Sequence, residues 1–188
     1  MKKIYFLLSV LAFSLASCSG DDGPMGPPGP QGPQGPAGVD GLIGTVFDIQ
    51  DDFTAANEYT LFAEYSDFTD VEVFETDVVL VYLKVGEDGE AGGEPVEIWR
   101  LIPQTYYLEG GETMQYNYDY TFFDVSIFLA ASVPLEDLSA AFTDDQVFRV
   151  AIIPAEMAQN SSLDVSDYNA VMSAMNYTNQ EIPSLDLD

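Results

Sequence analysis

Thr113-Met114-Gln115-Tyr116-Asn117-Tyr118-Asp119-Tyr120-Thr121-Phe122 is the stretch that decides the fold. Tyr116, Tyr118, Tyr120 and Phe122 recur at every second position, against Gln115, Asn117, Asp119 and Thr121. A period of two is that of a half-buried strand, and aromatic side chains suit a pleated surface. The tyrosine side reads as core, with each phenol needing a hydrogen-bond partner at the sheet rim. The other reading of the same stripe is an exposed platform on which sugar rings stack.

Working outward, the flanking segments carry the same signal. Gly110-Gly111 reads as a tight turn between Tyr106–Glu109 and the tyrosine strand. Further strands are expected over Thr45–Gln50, Glu58–Tyr65, Val78–Val85, Val96–Ile102, Phe123–Ala131 and Gln146–Ile153. Val78–Val85 is a continuous apolar run, as for a strand buried on both faces. Gly86–Pro95 reads as a long polar loop. Two short helices are expected, near Leu135–Ala141 and over Val165–Met175, the second capped by Asp164. Ser184–Asp188 reads as a frayed end. The fold class is therefore all-β, a β-sandwich or jelly-roll-like head with one or two short helices, spanning 45–188.

Composition sets what the head can do. The chain has 188 residues, five Lys+Arg against 32 Asp+Glu, no His and one Cys, for a formal net charge of −27. Without His there is no His-based dyad, no His metal ligand and no histidine pH switch. One Cys excludes an internal disulfide and a cysteine zinc site. The charge argues against nucleic acid, whose binding needs basic groups to displace counterions. Yet 47% of residues are hydrophobic, enough for a packed core.

The N-terminal quarter differs from the head. Lys2 and Lys3 precede the apolar run Ile4–Ala16, which has the length of a signal-peptide core and is short for a bilayer span. Leu15-Ala16-Ser17-Cys18 resembles a bacterial lipobox. That resemblance implies cleavage of 1–17 and diacylglycerol on the Cys18 thiol. The mature chain would keep Lys84, Arg100 and Arg149 against 32 acids, a formal −29. No basic patch then assists anchoring, and lipid must hold the membrane. Ser19-Gly20-Asp21-Asp22 is similar to the surface-export tags of Bacteroidetes lipoproteins; a merely solvated acidic tether reads equally well.

Glycine then occupies every third position: Gly20, Gly23, Gly26, Gly29, Gly32, Gly35, Gly38, Gly41 and Gly44. Pro24, Pro27, Pro30, Pro33 and Pro36 each follow a glycine. The run resembles bacterial collagen-like proteins. Three polyproline strands wind round one axis where only glycine fits, and proline pre-sets φ. Two forms stay open over 18–44, a homotrimeric triple helix and a monomeric polyproline spacer. Either reaches roughly 75 Å at about 3.1 Å per residue. A trimer of such acidic heads would need an apolar interface or cations at its axis.

Acidic side chains suggest calcium ligands at Glu87, Asp88 and Glu90, at Asp67, Asp70 and Glu72, and at Asp144 and Asp145, although none has EF-hand spacing. The alternative is a solvated surface whose like charges keep the protein soluble. Two carboxylates would suffice for a glycosidase, but 32 acids make any pair uninformative. Lys84 lacks a Ser-x-x-Lys context. The expectation is a non-enzyme without cofactor or resident metal. It would sit in the outer membrane through Cys18, facing an extracellular protein or glycan in a structural or adhesive role. The alternative is a carbohydrate- or calcium-binding module that serves surface uptake.

Overall fold

The computed structural model describes residues 44–70, 72–159, 163–177 and 182–186. The expected signal sequence 1–17, Cys18 and the glycine-repeat segment up to residue 43 lie outside the described residues. Among the described residues the head has nine strands: β1 Thr45–Asp51, β2 Thr60–Glu64, β3 Val78–Ala91, β4 Glu94–Leu101, β5 Gln104–Tyr107, β6 Thr113–Tyr120, β7 Asp124–Ala131, β8 Gln146–Ile153 and β9 Ser184–Asp186. The first sheet has the order β4-β3-β8-β1-β9 and the second β2-β7-β6-β5. All pairings are antiparallel except β1 with β9. The all-β sandwich is thus the observed fold. Chain crossings between sheets follow β1, β2, β4 and β7, while β3–β4, β5–β6 and β6–β7 are hairpins within a sheet.

The main core lies between the sheets. Phe47, Val81, Phe148 and Val150 face Met114, Tyr116, Val125 and Ile127, all nearly inaccessible to water. A second apolar layer covers the outer face of the first sheet. There Val46, Tyr82, Ala151 and Ile153 pack beneath Val171, Met172 and Met175. The first sheet is therefore buried on both faces over its central strands. That is why Val78–Leu83 of β3 and Val150–Ile153 of β8 read as apolar runs rather than as alternating ones. Each such side chain removed from water contributes about 1.5–3 kcal/mol before ordering costs are counted.

The described residues include three short helices: α1 Ala140–Thr143, α2 Ala155–Ala158 and α3 Tyr168–Ala174. The helix expected near Leu135–Ala141 divides into a 3-10 turn over Leu135–Asp137 and α1, which Ser139 caps through Ala141 N–H. The helix expected over Val165–Met175 begins later, and its cap is Asp167, not Asp164. The Asp167 carboxylate accepts from the N–H groups of Asn169 and Ala170 at 2.9 and 3.3 Å. The Asp164 carboxylate instead accepts from Ser166 N–H and Oγ. An Asx turn one step upstream thus competes for the same residue type.

Three further boundaries differ from the sequence reading. Glu58 and Tyr59 have φ of 54° and 53° and lie in the turn, so β2 starts at Thr60. Gly86–Pro95 is not a loop. β3 and β4 continue as a ladder to Ala91↔Glu94, closed by Gly92 and Gly93 at φ 68° and 93°. Two positive φ values in a two-residue turn match the right-handed twist of the strands. Because both faces of this arm are wet, no apolar alternation marks it in the sequence. The end expected to fray, Ser184–Asp188, supplies β9, which adds parallel to Asp48–Gln50.

Gly44, the last glycine of the period, is packed inside the head. A Cβ there would collide with Met175 Cε and lie 3.0 Å from the Ile152 carbonyl oxygen. Its glycine is explained by head packing as well as by the repeat.

Candidate functional site

The outer face of the first sheet carries one charged row within an apolar surface. Register places Asp48 of β1 opposite Arg149 of β8, and Arg149 opposite Tyr82 of β3. Arg149 is 8% exposed. Its Nε donates to Asp48 Oδ1 and its Nη2 to Asp48 Oδ2, both at 2.7 Å. Its Nη1 donates to the Tyr168 hydroxyl. Glu97 Oε2 lies 3.5 Å from Nη2. The guanidinium sits 4.0 Å over the Trp99 ring, which stacks on Tyr168 with centroids 5.8 Å apart. Tyr82 meets Tyr168 edge-on at 5.2 Å and donates its hydroxyl to the Val165 carbonyl. The planar guanidinium is suited to this use, with a fork for the carboxylate and a face for the rings.

Electrostatics follow from burial. Loss of water pushes the Asp48 carboxyl above its ordinary value, with the Arg149 bonds pulling the other way. Burial also works against the Arg149 charge, but the Asp48 bonds and the Tyr168 contact outweigh it and hold Arg149 above its ordinary value. Glu97 extends the row outward. Its Oε1 accepts from Lys84 Nζ at 2.9 Å, as does Glu87 Oε1, and the two bonds raise the Lys84 pKa. Signs alternate along Asp48, Arg149, Glu97, Lys84 and Glu87, so each charge meets its opposite.

Beside this row, between the sheet and α3, opens a cleft of about 1040 Å³. Asp48, Glu94, Glu97 and Asp167 make it acidic, and Tyr168 and Tyr177 give it aromatic walls. Its carboxylates can accept hydrogen bonds from hydroxyls or from an amine, and Tyr177 lines it beside Tyr168, whose ring is stacked on Trp99. Among the described residues no buried side-chain nitrogen or oxygen lacks a partner. Arg149 is thus already committed to the fold.

The tyrosine stripe divides along its length. Tyr116 is 1% exposed, and its hydroxyl reaches the Phe142 carbonyl at 2.8 Å and Gln146 Oε1 at 3.0 Å. Tyr118 donates to the Val79 carbonyl at 3.1 Å. Tyr120 is 45% exposed and stacks on Tyr118. A continuous sugar platform is excluded, because its first ring is inside the core. The calcium candidates are scattered. Glu87, Asp88 and Glu90 run along the wet β3–β4 arm, Asp67, Asp70 and Glu72 lie between β2 and β3, and Asp144 and Asp145 precede β8. Among the described residues no three acids are grouped to hold one metal ion.

Sequence reasoning missed Asp48 and Arg149 as a pair. The available signal was that each interrupts an apolar run, Val46-Phe47-Asp48-Ile49 and Phe148-Arg149-Val150. Comparison with protein-family models, curated proteins and solved structures gave no match. Among the described residues no helix is long and apolar enough to cross a membrane.

Proposed function

We propose that this chain is a lipid-anchored protein of the bacterial outer membrane, with a collagen-like spacer that presents the acidic β-sandwich head for a structural or adhesive role. The carrying observation is the strict glycine period beginning two residues after Cys18, the chain's one cysteine. Acyl chains on Cys18 supply the membrane affinity that a −29 chain lacks from charge. The spacer then holds the head roughly 75 Å out, at about 3.1 Å per residue. Repulsion among acidic heads keeps them solvated and apart from other anionic surfaces. Its partner would be an extracellular protein or glycan, and three copies would share one stalk.

Cys18→Ala tests the anchor. Release of the protein from the membrane fraction is expected, and undiminished retention would overturn lipidation. A second reading, a carbohydrate-binding module serving uptake, is favoured by the acidic, aromatic-walled cleft beside Asp48 and Tyr168. A glycan array tests the second reading. Saturable binding lost in Tyr177→Ala supports a glycan-binding cleft, and a blank array overturns it.

A further inference from the structure

The end of the sandwich at which the chain enters carries an exposed aromatic cap. Thr45 pairs with Ile152, and Val78 with Ile153, so the entry end holds the start of β1 and β3 and the close of β8. Tyr118 donates to the Val79 carbonyl, which sets the end of β6 over the start of β3. The β6–β7 turn therefore lies at the entry end. A polar turn would be expected there, yet Phe122 and Phe123 form its tip, with ring centroids 3.9 Å apart. Phe123 is 64% exposed, Phe74 just before β3 is 54% exposed, and Tyr120 is 45% exposed. A cluster of this kind on a chain of formal charge −27 points to a surface that another molecule covers.

We infer that this cap is where the heads of three copies of this chain meet. The inference rests on the three-chain reading of the glycine period, and it adds which face of the head the copies share. The period ends at Gly44, which is seated in the head against Met175. Three chains leaving one triple helix would enter their heads side by side, so the entry ends come within reach of one another at high effective concentration. Charge favours the same face. Carboxylates facing each other near the threefold axis would repel within a screening length of about 8 Å, whereas stacked phenyl rings would not. Glu64, Asp70 and Glu72 border the groove beside Phe122 and Phe123 and would form the rim. A membrane does not fit as the occupant, because a spacer of about 3.1 Å per residue would hold this end roughly 75 Å from the lipid.

The test uses the full chain purified in detergent. Phe123→Cys is oxidised with a mild catalyst and run without reductant. Tyr107→Cys, 85% exposed at the far end of the sandwich, is the control, and wild type sets the background. Mass is measured in parallel, including for Phe122→Ser/Phe123→Ser. The inference predicts a covalent dimer of this chain for Phe123→Cys, at least tenfold above Tyr107→Cys. It also predicts a trimer of Phe122→Ser/Phe123→Ser that dissociates at lower temperature than wild type. A trimeric wild type with no Phe123→Cys cross-link and an unchanged serine variant would overturn the shared face and leave the stalk reading intact. A monomeric wild type would overturn both. Cross-linking to a different protein would also overturn the shared face.

Discussion

Arg149 faces Asp48 directly across β8 and β1, and two parallel 2.7 Å hydrogen bonds join guanidinium and carboxylate beneath α3. The pair lies on a face that also carries Val46, Tyr82, Trp99, Ala151 and Ile153. Breaking one side of such a pair leaves a buried charge without its opposite. Arg149→Met should therefore destabilise by about 3–5 kcal/mol in urea unfolding. Arg149→Met/Asp48→Leu should recover most of that loss, because no charge is stranded. A double variant as unstable as the two single losses added together would refute the pairing account.

The same pair makes a pH prediction. Burial already raises the Asp48 pKa, and loss of Arg149 removes the hydrogen bonds and positive charge that oppose it. In Arg149→Met the folded-state value then lies further above the unfolded one. A raised folded value contributes stability that is present below the unfolded pKa and lost as pH climbs through the folded one. The penalty of Arg149→Met should thus shrink on acidification from about pH 7 towards about pH 4. An equal penalty at both pH values would contradict it.

Burial raises the pKa of Tyr65, Tyr82, Tyr116, Tyr118 and Tyr168 above the ordinary 10.0. The unfolded chain ionises first, so stability should hold below about pH 10 and fall above it. A melting temperature that stays level through the alkaline range would argue against buried phenols.

Tyr116→Phe removes the hydroxyl that reaches Phe142 and Gln146 while keeping the ring. A loss of about 1–2 kcal/mol is expected, from the hydrogen bond and the stranded acceptors. No loss would mean that these contacts are not formed in solution.

Gly44→Ala places a methyl group against Met175 and the Ile152 carbonyl. Overpacking of this kind costs about 1–3 kcal/mol. The change should lower the melting temperature of the head, whatever the stalk does. An unaltered head transition would show that Gly44 serves the repeat alone.

The sandwich was legible because its strands announce themselves. β8 was read with its observed limits, Gln146–Ile153, and the tyrosine strand differed only at its C-terminal end. Strands with one wet face alternate, and strands with none run apolar, so burial wrote the pattern. The β3–β4 arm was illegible for the opposite reason. From Glu87 to Val96 every side chain is exposed, and nothing in such a stretch records the ladder. β9 was missed because three residues are too few for a period, and its pairing depends on where β1 already lies. The Asp48–Arg149 pair needs a register between positions 101 residues apart, which local spacing cannot supply. The aromatic cap was visible as Phe122-Phe123, but its exposure was not.

In the proposed function three chains share one stalk and one outward-facing assembly. The most direct test is the mass of the full chain in detergent, followed through a thermal scan. Three chain masses are predicted, falling to one in a cooperative transition that Gly29→Ser/Gly32→Ser shifts to lower temperature. A single chain mass at every temperature would contradict the account.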